Sequence, residues 1–113
     1  MELDLKSFVQ TLRERDTKKA KEWLEQIKSR VDFNDEFGRG YLLALRGMVA
    51  ALEAGGELSV INRVVNGEYK QEQVVELVKS VRERLSRKFR PEDEKGFDTA
   101  LVEVLQEFSG ENV

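Results

Sequence analysis

The chain contains no cysteine, no histidine and a single proline. The missing cysteine removes disulfides, thiolate metal sites and thiol nucleophiles together. The missing histidine removes the commonest general base near neutral pH and the commonest zinc ligand. Long apolar runs are scarce too. The longest, Tyr41 to Leu52, is interrupted by Arg46 and falls short of the roughly 20 residues that span a bilayer. Met1-Glu2-Leu3-Asp4-Leu5-Lys6 carries an acid early and no apolar h-region follows, so no secretory signal is expected and the expected compartment is the cytoplasm.

What is present points to a folded, charge-rich helical domain. A length of 113 residues suits one domain and buries about two thirds of the unfolded chain's surface, enough for a core without covalent staples. Hydrophobic residues make up 40% and charged residues 36%, which excludes a disordered or membrane-spanning chain. Abundant charges of both signs without cysteine also fit a thermophile's composition.

Helical spacing dominates. Leu5, Phe8, Val9 and Leu12 fall at i, i+3, i+4 and i+7, which predicts a helix over residues 3–13. Asp16 is placed to cap a second helix, in which Ala20, Trp23, Leu24, Ile27 and Val31 repeat the spacing. Asn34 or Asp35 caps a third, which runs to about Glu53 and is stopped by Gly55-Gly56. Gln73 to Phe89 reads as another amphipathic helix, with Val74, Leu77, Val78, Val81 and Leu85 facing inward. Pro91 suits the first turn of the last helix, whose inner side carries Phe97, Ala100, Leu101, Val104, Leu105 and Phe108.

Leu58 to Val65 is the ambiguous segment. Its β-branched content and the following Asn66-Gly67 resemble a strand and hairpin turn. No apolar alternation follows in Glu68 to Gln73, however, and the pairs at 60/61 and 64/65 fit a short helix closed by Gly67. We read it as helix.

The chain carries an internal repeat. Ala20, Trp23, Leu24, Ile27, Val31 and Val74, Leu77, Val78, Val81, Leu85 share their spacing, and Gly40-Tyr41-x-x-Ala44-Leu45-x-x-Met48 matches Gly96-Phe97-x-x-Ala100-Leu101-x-x-Val104. The second match is the more specific, because glycine inside a helix costs about 1 kcal/mol relative to alanine. The expected architecture is all-α: about six helices in one domain, an N-terminal helix at 3–13 and two αα-hairpins at 16–54 and 70–109, then a tail at 110–113.

Arg15-Asp16-Thr17-Lys18-Lys19-Ala20-Lys21-Glu22-Trp23-Leu24 resembles the second helix of a tetratricopeptide repeat, where an acidic residue starts the helix and a small residue packs against the partner. The preceding helix lacks that repeat's Trp-Leu-Gly-Tyr pattern, and the two halves are spaced beyond its period. The resemblance implies helical-hairpin packing and a protein-binding role, so the hairpins are expected to form a compact orthogonal or tetratricopeptide-like bundle. In general character the chain also resembles small archaeal all-helical proteins.

Candidate sites are few. The third helix has a small-residue stripe at Gly40, Ala44, Gly47 and Ala51 beside a large apolar one at Phe37, Tyr41, Leu45, Met48 and Leu52. Arg39, Arg46 and Glu53, spaced by seven, mark its solvent line. The stripe reads first as a tight crossing within the domain and second as a self-complementary face. Surplus apolar surface predicts a homodimer, with Leu42, Val49, Ile61 and Val65 as candidate contacts. The competing arrangement is a monomer in which residues 58–65 fold back over the third helix.

Lys79, Arg82, Arg84, Arg87, Lys88 and Arg90 form a basic stretch that could hold an anion or nucleic acid. These cations also suit a helix C-terminus, as Glu92, Asp93 and Glu94 suit the next N-terminus, and pairing across that corner is expected. A net charge of −3 and a pI near 5.2 oppose a general nucleic-acid binder.

Asp32-Phe33-Asn34-Asp35-Glu36 fails as a calcium loop, since Phe37 and Leu43 occupy the positions that need glycine and glutamate. Gly38-Arg39-Gly40 fails as a phosphate loop, because no strand precedes it and no Lys-Ser/Thr ending follows. Trp23 lies on an apolar helix face and reads as core. Carboxylates could run acid–base chemistry, but none is isolated on an apolar face in a way that raises its pKa. No catalytic, metal-binding or cofactor-binding residue is identified, no small-molecule substrate is evident, and the expected function is a non-catalytic interaction or scaffold module with a protein partner.

Overall fold

A computed structural model describes residues 2–31, 34–55 and 59–110, with side chains from residue 4 onward. These residues form six helices and no strand: α1 (Glu2–Arg13), α2 (Thr17–Lys28), α3 (Glu36–Ala54), α4 (Val60–Val65), α5 (Gln71–Leu85) and α6 (Glu92–Ser109). The radius of gyration, 13.4 Å, is that of a single packed body, about 13 Å for this length.

The helix ends follow local chemistry. The Asp16 carboxylate accepts the Lys19 N–H at 3.1 Å to start α2, and Asp35 accepts the Phe37 N–H at 3.2 Å to start α3. Asp35, of the two expected candidates, is thus the cap. Gly55 closes α3 at φ 68°, and Gly110 closes α6 at φ 74°. Pro91 stands just before α6 rather than inside its first turn. The ambiguous segment is helical as expected: α4 ends at Val65, and Gly67 turns the chain at φ 73°. Leu58, Gly56, the pair Asp32-Phe33 and the tail beyond Gly110 lie outside the described residues.

The crossing of α3 and α6 organises the molecule. A Cβ on Gly40 would lie 1.8 Å from the Asp93 carbonyl oxygen, and one on Gly96 would lie 1.9 Å from the Phe37 carbonyl oxygen. Each glycine therefore meets the backbone three residues before the other. That reciprocity makes the sequence repeat a structural pseudo-twofold. Both helices bring main chain against main chain, which only a residue without Cβ permits.

Two apolar clusters flank the crossing. The larger draws Leu5, Phe8, Val9 and Leu12 of α1, Ala20, Leu24 and Ile27 of α2 and the inner face of α3 onto Ala100 and Val104 of α6. The smaller is rich in valine: Val64, Val74, Val78, Val81 and Val102, with Leu105. Leu101 and Phe108 touch both, so α6 is the shared wall. The short α4 is fastened to α3 by buried Asn62, whose Nδ2 donates to the Ala51 carbonyl at 2.7 Å. Residues 60–65 thus fold back onto α3, as the competing arrangement required.

The expected small-residue stripe divides. Gly40 and Ala44 enter the crossing, whereas Gly47 is exposed and a Cβ there would meet nothing within 4 Å. Opposite signs follow for one substitution. Gly40→Ala and Gly96→Ala should each destabilise the fold by about 1–3 kcal/mol through overpacking. Gly47→Ala should stabilise it by up to about 1 kcal/mol through helix propensity alone. Thermal melts followed by circular dichroism check this, since 1 kcal/mol shifts Tm by roughly 4–8 °C in a domain near this size. A common sign at all three positions would refute the crossing.

Candidate functional site

The basic stretch does not act as one patch. Asp98, on the buried face of α6 and only 4% exposed, sits between two of its arginines. Arg84 Nη2 donates to one carboxylate oxygen at 3.1 Å and Arg90 Nη1 to the other at 2.6 Å. Arg84 comes from the last turn of α5 and Arg90 from the following loop, so the pair ties the α5–α6 corner together. Lys79 lies 3.4 Å from Glu76 on its own helix, and Arg82 is half-buried. Arg87 and Lys88 are exposed.

This corrects the expected pairing with Glu92, Asp93 and Glu94. Glu92 contacts Lys95 at 3.3 Å, and Asp93 accepts the Glu94 N–H at 3.0 Å. The first-turn acids stay at the exposed helix start, where the dipole favours them. Asp98 lies further along, on the face that meets α5, and a buried carboxylate needs charge-assisted partners.

The corner carries an unexpected feature. Helix α5 ends at Leu85, short of the expected Phe89. Phe89 is 99% exposed and holds a left-handed backbone at φ 64°. Nearby, a cleft of about 360 Å³ is lined by Glu36, Arg39, Gly40, Leu43, Pro91 and Asp93, and Leu43 is itself 60% exposed.

The expected dimer contacts also need correction. Leu42, Val49 and Ile61 are buried in the main cluster, and Val65 packs half-buried against it. The folded-back α4 and the crossing with α6 consume the surface that appeared surplus on a lone helix. The solvent side of α3 instead carries Glu36, Arg39, Leu43, Arg46, Gly47, Ala50, Glu53 and Ala54, a broader strip than the expected charged line.

Two buried acids went unnoticed at the sequence level, Asp98 and Asp4. Asp4 Oδ2 lies 3.2 Å from Arg30 Nε, but without hydrogen-bond geometry, so the contact is an ion pair only. It borders a cleft of about 530 Å³ with Lys19, Glu22, Trp23, Gln26 and Arg30. Trp23 therefore both packs on the core and lines an opening. An aspartate with arginines nearby in sequence was the available signal for Asp98. No comparable signal marks Asp4, whose partner Arg30 lies in the turn just past the end of α2.

At the crossing, the buried Tyr41 hydroxyl donates to Glu103 Oε1 at 2.9 Å. Burial first, then the Glu103 charge and this hydrogen bond, push the phenol far above its usual range. The neutral phenol positions Glu103 and gives no base or nucleophile near neutral pH. Among the described residues no three acidic side chains converge as a metal ion would require, and no helix is long and apolar enough to cross a membrane.

Two outcomes follow. Asp98→Ala should cost about 3 kcal/mol in urea denaturation, the low end for a broken buried pair, because half-exposed Arg84 can turn to water. The Arg87→Ala/Lys88→Ala double variant should stay within about 0.5 kcal/mol of wild type. For Tyr41, the folded pKa is raised, so its contribution is complete below the unfolded value near 10 and declines as pH rises above it. Stability measured from about pH 8 to about pH 11 should therefore fall more steeply in wild type than in Tyr41→Phe. Parallel curves would remove Tyr41 as the cause.

Compared with family models, curated proteins and solved structures, the chain matches none.

Proposed function

We propose that this protein is a cytoplasmic, non-catalytic interaction or scaffold module built from helical hairpins, and that it presents the α5–α6 corner to a protein partner. Phe89 carries the reading. A left-handed backbone at a residue with a Cβ costs about 1–2 kcal/mol, and a fully exposed phenyl ring recovers none of that inside the fold. Both costs become intelligible if the ring is covered by something outside it. Aromatic side chains are the usual anchors of protein interfaces, and strained backbone clusters where a chain makes contacts.

The surroundings fit a protein partner better than a nucleic acid. Arg87 and Lys88, next to Phe89 in sequence, are exposed, while Arg84 and Arg90 are already engaged by Asp98. The tetratricopeptide-like segment adds a protein-binding expectation, and its small residue, Ala20, is fully buried between helices.

Phe89→Gly separates stability from function. It should raise stability by about 1 kcal/mol by relieving the backbone, and as bait in the native organism's lysate it should lose a protein that the wild-type chain retains. Equal capture by both baits would overturn the assignment of this corner. Catalysis that survives rigorous purification and disappears on changing one carboxylate would overturn the non-catalytic reading.

A further inference from the structure

We propose that the solvent face of α3 is a self-association surface on which a second copy of the chain packs α3 against α3 in antiparallel fashion. This face does not include Phe89, so the inference goes beyond the function proposed above.

The observation is an apolar strip that none of the other described residues covers. Leu43, Gly47, Ala50 and Ala54 are all exposed, at i, i+4, i+7 and i+11 along one helix. Leu43 is 60% exposed, an anchor that the fold leaves to water. Phe97 on α6 is 39% exposed and extends the apolar surface alongside. Its exposure has a cause. The pseudo-twofold that relates Gly40 to Gly96 relates Tyr41 to Phe97 and Glu103 to Gly47. Tyr41 has Glu103 to meet, whereas Phe97 has only a residue without a side chain.

Charge complementarity identifies the occupant and its direction. Arg39, Arg46 and Glu53 follow one flank of the strip at intervals of seven, the spacing that keeps a flank in register along a paired helix. In a parallel pair this flank would face the opposite flank of the second copy, where Arg39 and Arg46 would meet Ala44 and Ala51 and no opposite charges would pair. In an antiparallel pair, the register that stacks Leu43 on Ala54 and Gly47 on Ala50 of the second copy brings Arg46 beside Glu53 of that copy. The twofold axis makes this contact twice. Glu53 already lies 2.9 Å from Lys21 within the protomer, and a carboxylate with about four acceptor sites accommodates a second cation. Glycine and alanine let the two backbones approach closely, while Leu43 and Phe97 supply the apolar area. A C2 contact of this kind needs only one self-complementary patch.

Sedimentation equilibrium of the full chain tests this against the protomer mass of 13.0 kDa. Wild type should rise toward twice that mass with concentration. Leu43→Asp should stay at the protomer mass with unchanged helicity. Glu53→Arg should weaken association about tenfold or more by placing arginine beside arginine at both symmetric contacts, and the Arg46→Glu/Glu53→Arg double variant should restore it. A protomer mass at every soluble concentration overturns the proposal, as does a dimer that Leu43→Asp and Glu53→Arg leave intact. Phe89→Gly should leave self-association unchanged. Failure of the α3 dimer therefore leaves the Phe89 reading to its own capture experiment, and loss of capture without loss of the dimer separates them in the other direction.

Discussion

The fold rests on one close contact, the reciprocal seating of Gly40 and Gly96 against the backbone of the opposite helix. With a Cβ at either position the crossing of α3 and α6 could not close. Each glycine costs about 1 kcal/mol of helix propensity, and the crossing offsets that by allowing both apolar clusters to use α6 as a common wall. Much else follows from this distance. Tyr41 stands next to Gly40 and reaches Glu103 across the crossing, and the two helices run a similar length onward before each is closed by a left-handed glycine.

The pseudo-twofold is maintained in the backbone but broken in the side chains. Tyr41 is matched by Phe97, Glu103 by Gly47, and the first cluster is broad where the second is a narrow set of valines. Helix α1 packs on α2 and α6 and enlarges the first half, while α4 packs on α3 and contributes Val64 to the second cluster. The result is a molecule whose two halves share one crossing mode and expose different surfaces: apolar and lightly charged on α3, aromatic and basic at the α5–α6 corner.

Electrostatics at that corner illustrates why charge runs mislead when read in isolation. Six cations close together in sequence suggest a field, yet two of them converge on one buried aspartate. Desolvating Asp98 is costly unless both oxygens are engaged, and the arginines supply that pairing. Arg87 and Lys88, past the helix end, stay exposed, as does Lys79, which meets only Glu76 on its own helix.

Helix positions, their caps, the helical state of residues 60–65 and the glycine repeat were legible in the residues, because each depends on spacing and on side chains a few positions apart. The same locality explains where spacing misleads. The helical pattern extends α5 to Phe89 because nothing in Arg87-Lys88-Phe89 interrupts it until Pro91, and the left-handed turn there is a property of the corner. Leu42, Val49 and Ile61 read as surplus because periodicity counts apolar faces without saying which neighbour covers them; α4 and α6 do so. Nearby arginines hint at a partner for Asp98, but its burial shows only in the fold, because those partners arrive from another helix and a loop. By itself the sequence determined which segments coil and where two helices can touch at the backbone, since those depend on local sterics. The tertiary structure decided which faces remain in water and which charges are neutralised, since burial and pairing depend on residues far apart in the chain.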